Sequence, residues 1–315
     1  MPSIPQTQSH DSRPSPSLCL YCKSFRRDLD RVQQLVASLE AHNRDHLPLI
    51  LSVPAADVAL FQARFGKHHF ELIPDETLTG RSIPAGWRMQ QVVKFHVWQM
   101  NLADTVFMLD SDAYFIRDFR RQDFFTQTGE PYFILSSFPT RFAPENTELL
   151  TLLQGQNTPP PLDLSQLLLP PVAPQDMGTI PRWRLWIDPL TSQRVRPRRR
   201  WIQDLLRRPG LPLEFMPSPL WMETVLQDMW ERFLVPRRLN YFDLIKFAPW
   251  ENHWYGEWLL ATQCAPIHPR LPYFLHFSSD EDIHHAQAAG FTVEDFAQHF
   301  LGLQLAAGHQ ELERY

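Results

Sequence analysis

Thr105-Val-Phe-Met-Leu-Asp-Ser-Asp112 decides the reading of this chain. A short apolar run, rich in β-formers, ends abruptly in two acidic residues, which is the pattern of a buried strand delivering carboxylates to its carboxyl end. Side chains two apart on an extended chain point the same way, with Cα atoms about 6–7 Å apart. One divalent cation can therefore draw Asp110 and Asp112 into its first and second shells. Mg²⁺ and Mn²⁺ prefer hard oxygen ligands, and such a pair leaves coordination positions free for a diphosphate. The plain alternative is a pair of aspartates capping a turn, since the bare Asp-x-Asp spacing is common.

Outward from this run, strand-like and helix-like segments alternate. Towards the N-terminus, 17–25, 48–54 and 69–75 read as strands. Between them, 28–42 and 55–65 have helical spacing, with Asp28 at a helix start, and 86–100 reads as an amphipathic helix. Residues 131–138 read as a further strand. Strands separated by helices of this length imply an α/β fold with a mostly parallel central sheet flanked by helices. Ligands of such sheets bind beyond the carboxyl ends of the strands. That rule places Lys23 and Ser24 beside the acidic pair, as contacts for a base or ribose. Gln90 and Lys94, one helical turn apart, would present a donor and a cation to a diphosphate.

Residues 139–214 break the rhythm with proline and then with a cluster of seven arginines (194, 196, 198, 199, 200, 207 and 208). They read as an irregular insertion. Beyond it, Leu220–Phe233, Asn240–Phe247 and Glu251–Thr262 read as helices, 272–279 as a strand, and 280–305 as one or two closing helices. The expected organisation is a disordered segment (1–16), a nucleotide-sugar-binding half (17–138), the insertion (139–214), and an acceptor-side part of the same domain (215–315).

LDSDAYFIRDF (109–119) resembles the LDxD segment of GT-A glycosyltransferases, and QQVVKFHVW (90–98) is similar to the helix that precedes it in many of them. Pro217-Ser-Pro-Leu-Trp221, Glu251-Asn-His-Trp-Tyr-Gly256 and Leu275-His-Phe277 follow in the order of an uncharacterised bacterial family of such enzymes. The resemblance spans about 18–138 and 214–280. It implies a GT-A fold, a nucleotide-diphosphate sugar as donor, and Mn²⁺ or Mg²⁺ as cofactor. It implies Asp112 as a metal ligand and catalytic residue, Asp110 near ribose and metal, and His276 completing the metal shell. Lys94 or a neighbouring glutamine lies near the nucleotide. Asp28 has its counterpart in the family pattern at the donor site, or serves only as a cap. Glu251 faces the acceptor hydroxyl as general base or anchor, unless it only caps its helix. Tyr255-Gly256 would let backbone approach the sugar, with Trp221, Trp250 and Trp254 as stacking platforms.

Composition limits the alternatives. Hydrophobic residues at 43% and charged residues at 21% support a sizeable core. A net charge of −5 gives no general pull towards nucleic acid. The arginine cluster is a local exception, suited to a solvated loop or to a glycan or lipid-linked anionic acceptor at a membrane face. The N-terminal residues lack a signal-peptide pattern, and a cytoplasmic protein, peripheral at the inner membrane face, is the expectation. Cys19 and Cys22, three apart in one strand, face opposite sides and read as buried thiols. Competing functions are a catalytically inactive GT-A-like binding module, an Asp-x-Asp phosphatase and a nucleotidyltransferase. The last two fit less well: the phosphatase motif normally lies near the N-terminus, and no glycine-rich loop follows the first strand.

Overall fold

The computed structural model describes residues 18–68, 70–82, 86–135, 140–155, 164–182, 200–210, 213, 215 and 218–305. Ten strands are present among them: β1 (Cys19–Lys23), β2 (Leu49–Val53), β3 (Glu71–Pro74), β4 (Thr105–Asp110), β5 (Ala113–Phe115), β6 (Phe133–Ile134), β7 (Leu220–Met222), β8 (Pro269–Arg270), β9 (Phe274–Phe277) and β10 (Gly302–Leu305). The central sheet has the order β3-β2-β1-β4-β7, with the first four strands parallel and β7 antiparallel at the edge. Helices α1 (Leu29–His42), α2 (Val58–Phe65), α3 (Asp75–Thr79) and α4 (Trp87–His96) connect the parallel strands. The chain is thus mixed α/β with a mostly parallel central sheet flanked by helices.

Both faces of this sheet are covered, which is why β1, β2 and β4 are apolar on alternate and intervening positions alike. Cys19, Tyr21, Ile50, Val106 and Met108 pack under α4 and the later helices. Leu20, Cys22, Leu51, Phe107 and Leu109 pack against α1 and α2. The two cysteines do face opposite sides. Burial, with a smaller effect of Glu71, pushes the Cys19 thiol up to about 12, and burial holds Cys22 high as well, so both are inert.

A second sheet, β5-β10-β9, begins after only two intervening residues, Ser111 and Asp112, beyond the end of β4. Its β10 pairs antiparallel with β5 and parallel with β9. The Asp110-Ser111-Asp112 turn is therefore the junction of two sheets, and Phe115 is tied back to α1 by its N–H donating to Ser38 Oγ at 3.0 Å.

Several expected elements differ. Leu220–Met222 is a strand, and the helix starts only at Glu223, because Trp221 lies fully buried against Phe95 and Tyr255. Phe133–Ile134 pairs with β8 outside the central sheet, and 136–139 lie outside the described residues. The closing region holds helices Asp280–Ala288 and Val293–Ala297 and then β10. Leu303 and Leu305 fill a core with Leu275 and Phe277, a packing demand that outweighs helical spacing. The described parts of 139–214 are not all loop. Leu167, Met177, Ile180, Ile202, Leu205 and Leu206 join the main core, and Arg208 forms a buried ion pair with Glu257 on helix Glu251–Thr262. Arg194, Arg196, Arg198 and Arg199 lie outside the described residues. No helix among the described residues is long and apolar enough to cross a membrane.

Candidate functional site

Asp110 is the last residue of β4, and β1 brings Lys23 to the same register beside it. The chain turns at Ser111, so Asp112 is no longer in the strand; both carboxylates nevertheless meet one group. Gln304 Nε2, on β10, donates to Asp110 Oδ2 at 2.9 Å and to Asp112 Oδ1 at 3.2 Å. The remaining Asp110 oxygen, Oδ1, accepts from Lys94 Nζ at 2.6 Å. Lys94, whose side chain is 7% exposed, also donates to Glu251 Oε1 at 3.0 Å. The Gln91 side chain lies against the same carboxylate, with its NH₂ donating to Glu251 in the amide orientation that satisfies both groups.

The electrostatics of the two aspartates diverge. Burial alone would raise the Asp110 carboxyl, but the Lys94 ammonium and the Gln304 amide outweigh it and hold the group below its ordinary value. Among the described residues Asp112 has no such cation in contact. Burial first, and then the neighbouring Asp110 charge, push it up to about 7, with Arg31 and Asp28 acting more weakly and in opposite directions. For Lys94, burial is opposed and exceeded by Asp110 and Glu251, so the ammonium stays charged.

Asp28 joins the site rather than only starting α1. It accepts from Ser111 Oγ at 2.9 Å and from Arg31 at 3.2 Å, and its side chain makes no hydrogen bond to the amides of α1. His276 on β9 is the cross-strand partner of Gln304, and its charge acts on Asp110. Its Nδ1 lies 3.3 Å from Ser278 Oγ.

Lys23 turns away from the aspartates to an ion pair with Asp75 at 3.0 Å, at the start of α3. Ser24 is fully buried, and its Oγ, like Asp75 Oδ1, has no hydrogen-bond partner among the described residues. The ends of β1 and β3 thus hold unsatisfied polar atoms, which native structures seldom leave without a ligand, water or catalytic use.

Other expectations change. Gln91, i, i+3 from Lys94, lies on Glu251, and Gln90 is half-buried. Both Glu251 oxygens face donors on α4, Lys94 and Gln91. Trp221 and Trp254 are fully buried core residues and Trp250 is half-buried; the exposed indole among the described residues is Trp87, 54% exposed at the first turn of α4. Tyr255 is buried, its hydroxyl accepting from Met222 N at 2.9 Å. Gly256 is needed for packing, since a Cβ there would overlap the Phe215 ring. Gln304 and Arg31 carried no motif that sequence reasoning could single out, and Ser111 was read only as the spacer of the acidic pair.

Among the described residues no three His, Cys, Asp or Glu side chains converge as a metal cluster. That donor set still suits Mg²⁺ or Mn²⁺ at a nucleotide site, where one or two carboxylates suffice and phosphate and water supply the rest. Asp112 is the carboxylate of the pair that could take such a cation directly, since Gln304 is its only side-chain hydrogen-bond partner among the described residues. Asp110, with both oxygens already bonded, suits a second-shell place or a ribose hydroxyl better than direct ligation.

No family model matches the chain, and no curated protein matches it. Among 180 matching chains of solved structures is that of WbbM, a bifunctional glycosyltransferase in its apo state. It has 10% sequence identity and a TM-score of 0.46, over 96% of this chain and 47% of that one. This chain thus spans about half the length of that protein, and at such a score the likeness decides neither fold nor function.

Proposed function

We propose that this protein is a metal-dependent glycosyltransferase that moves a sugar from a nucleotide-diphosphate donor to a hydroxyl of a glycan or lipid-linked acceptor. The observation that carries the reading is the unequal pair: Asp110 neutralised by Lys94, and Asp112 beside it, at the junction of two sheets, without a cation among the described residues. Asp112 would hold Mn²⁺ or Mg²⁺, with His276 at its margin. The metal, when bound, neutralises charge developing on the departing nucleoside diphosphate.

The chain's own residues do the rest. Lys94, held by Glu251, whose carboxylate Gln91 also faces, orients Asp110. Asp28, held by Arg31 and Ser111, closes the far side of the turn. Ser24, Lys23 and Asp75 offer buried polar atoms to the base and ribose beyond the ends of β1 and β3. A general base for the acceptor is not assigned to Glu251. Trp87, exposed at the start of α4, would be the candidate to stack on an apolar sugar face. The arginine-rich segment supports an anionic acceptor or peripheral membrane contact only through its charge.

The test is hydrolysis of a panel of nucleotide-diphosphate sugars with Mn²⁺, against a generic phosphomonoester. Release of nucleoside diphosphate from one or more donors, lost in Asp112→Ala, is expected. Phosphate release from the monoester with every donor left intact would replace the transferase by a phosphatase.

A further inference from the structure

Gln304 lies 192 residues beyond Asp112 in sequence, yet it makes the only side-chain hydrogen bond to Asp112 among the described residues. It is 4% exposed, and one nitrogen serves both carboxylates. Its place is fixed on every side. His276 on β9 and Ala113 on β5 stand at its register, and the next residue, Leu305, donates its N–H to Asp112 O at 2.9 Å. Gly302, two residues earlier, lets β10 sit against Tyr114 O and the Phe274 ring, where a Cβ would overlap both.

We propose that Gln304 is a positioning residue of the cation site, holding Asp110 and Asp112 in register for the metal. This rests on the reading of Asp112 as the metal residue and extends it. Two carboxylates brought together repel, and a shared donor offsets part of that repulsion. The donor is neutral. A lysine in its place would neutralise Asp112 as Lys94 neutralises Asp110, and would exclude the metal. A carboxamide also has two ends: its NH₂ faces the carboxylates before a cation arrives, and its carbonyl oxygen is a hard ligand once the amide turns about its last bond.

The test uses the full chain with two variants, Gln304→Met and Gln304→Glu. Mn²⁺ binding is followed by electron paramagnetic resonance, with Mn²⁺ alone and with saturating UDP, GDP or dTDP. Gln304→Met, which removes donor and acceptor at similar volume, is expected to lower Mn²⁺ affinity about 10- to 100-fold, the usual effect of losing an outer-shell partner. Gln304→Glu, which adds a third carboxylate, is expected to melt lower than wild type without metal and to gain more in melting temperature when Mn²⁺ is added. A purely structural glutamine would not give that reversal. Wild-type Mn²⁺ affinity in Gln304→Met, or an unchanged metal response in Gln304→Glu, overturns the role of Gln304 and leaves the site reading standing. Failure of the wild-type protein to take up Mn²⁺ under every condition overturns the site reading and this role with it. If Gln304→Met does not fold, the melting of Gln304→Glu with and without Mn²⁺ decides the question.

Discussion

Replacing Lys94 by Met removes the ammonium shared by Asp110 and Glu251 while keeping much of its volume. The Lys94 and Glu251 side chains are each 7% exposed and Asp110 is 32% exposed, so the variant leaves one fully buried carboxylate and one partly screened one without their cation. Breaking a buried pair from one side costs about 3–5 kcal/mol. Solvent at Asp110 favours the lower part of that range. With an unfolding entropy of about 2 cal/mol/K per residue, a loss in that lower part corresponds to a fall in melting temperature of roughly 5–6 °C for a chain of this size. Calorimetry in EDTA reads it directly. Adding Glu251→Gln to Lys94→Met should recover part of the loss, whereas Glu251→Gln alone should destabilise; the double-mutant cycle isolates the pair. A Lys94→Met protein that melts within about 1 °C of wild type, with no coupling to Glu251, would refute the buried triad.

Other outcomes follow from the same geometry. The Asp112 carboxyl titrates near 7 in the folded chain, above its ordinary value of 3.8, so its contribution to stability is lost as pH rises from about 4 through 7. Denaturant titrations of metal-free protein should show wild type falling relative to Asp112→Asn across that window and running parallel above it; a constant difference would contradict the shift. Gly302→Ala forces a methyl group into the Phe274 ring and Tyr114 O, and should cost about 1–3 kcal/mol by chemical denaturation. A neutral result would mean that β10 does not sit as described. Arg208→Met strands the Glu257 carboxylate, 3% exposed, and should cost about 3–5 kcal/mol, whereas pairing it with Glu257→Leu should restore most of the loss. Equal stability of the single and double variants would count against that pair.

The parallel core was legible because its strands carry their own signature. β1, β2 and β4 are apolar at consecutive positions, which a doubly covered sheet demands and an exposed one forbids. The Asp110–Asp112 pair was legible for the same reason, since its meaning came from the strand that ends there. The second sheet was hidden. β5 and β10 are three and four residues long, and nothing in Gly302–Leu305 alone distinguishes a strand from the end of a helix. Gln304 belongs to that hidden sheet, so its approach to both carboxylates depended on a long-range pairing that no local period records. Lys94 was found by helical spacing, but Gln91 was passed over for Gln90, because i, i+3 and i, i+4 neighbours are equally near on a helix surface and only the position of Glu251 chooses between them. Glu251 was assigned to the acceptor by resemblance, and Gly256 to a close approach of backbone to the sugar. Their actual neighbours, Lys94 and the Phe215 ring, lie on other elements and give both residues work inside the fold.

Anomalous diffraction from crystals grown with Mn²⁺ and a nucleoside diphosphate tests the central claim most directly. The expected map has one strong manganese peak within coordinating distance of the Asp112 carboxylate, bridged to the diphosphate, with Lys94 still on Asp110. A nucleotide bound with no manganese at Asp112, or manganese bound only at a site remote from the β4–β5 turn, would contradict it.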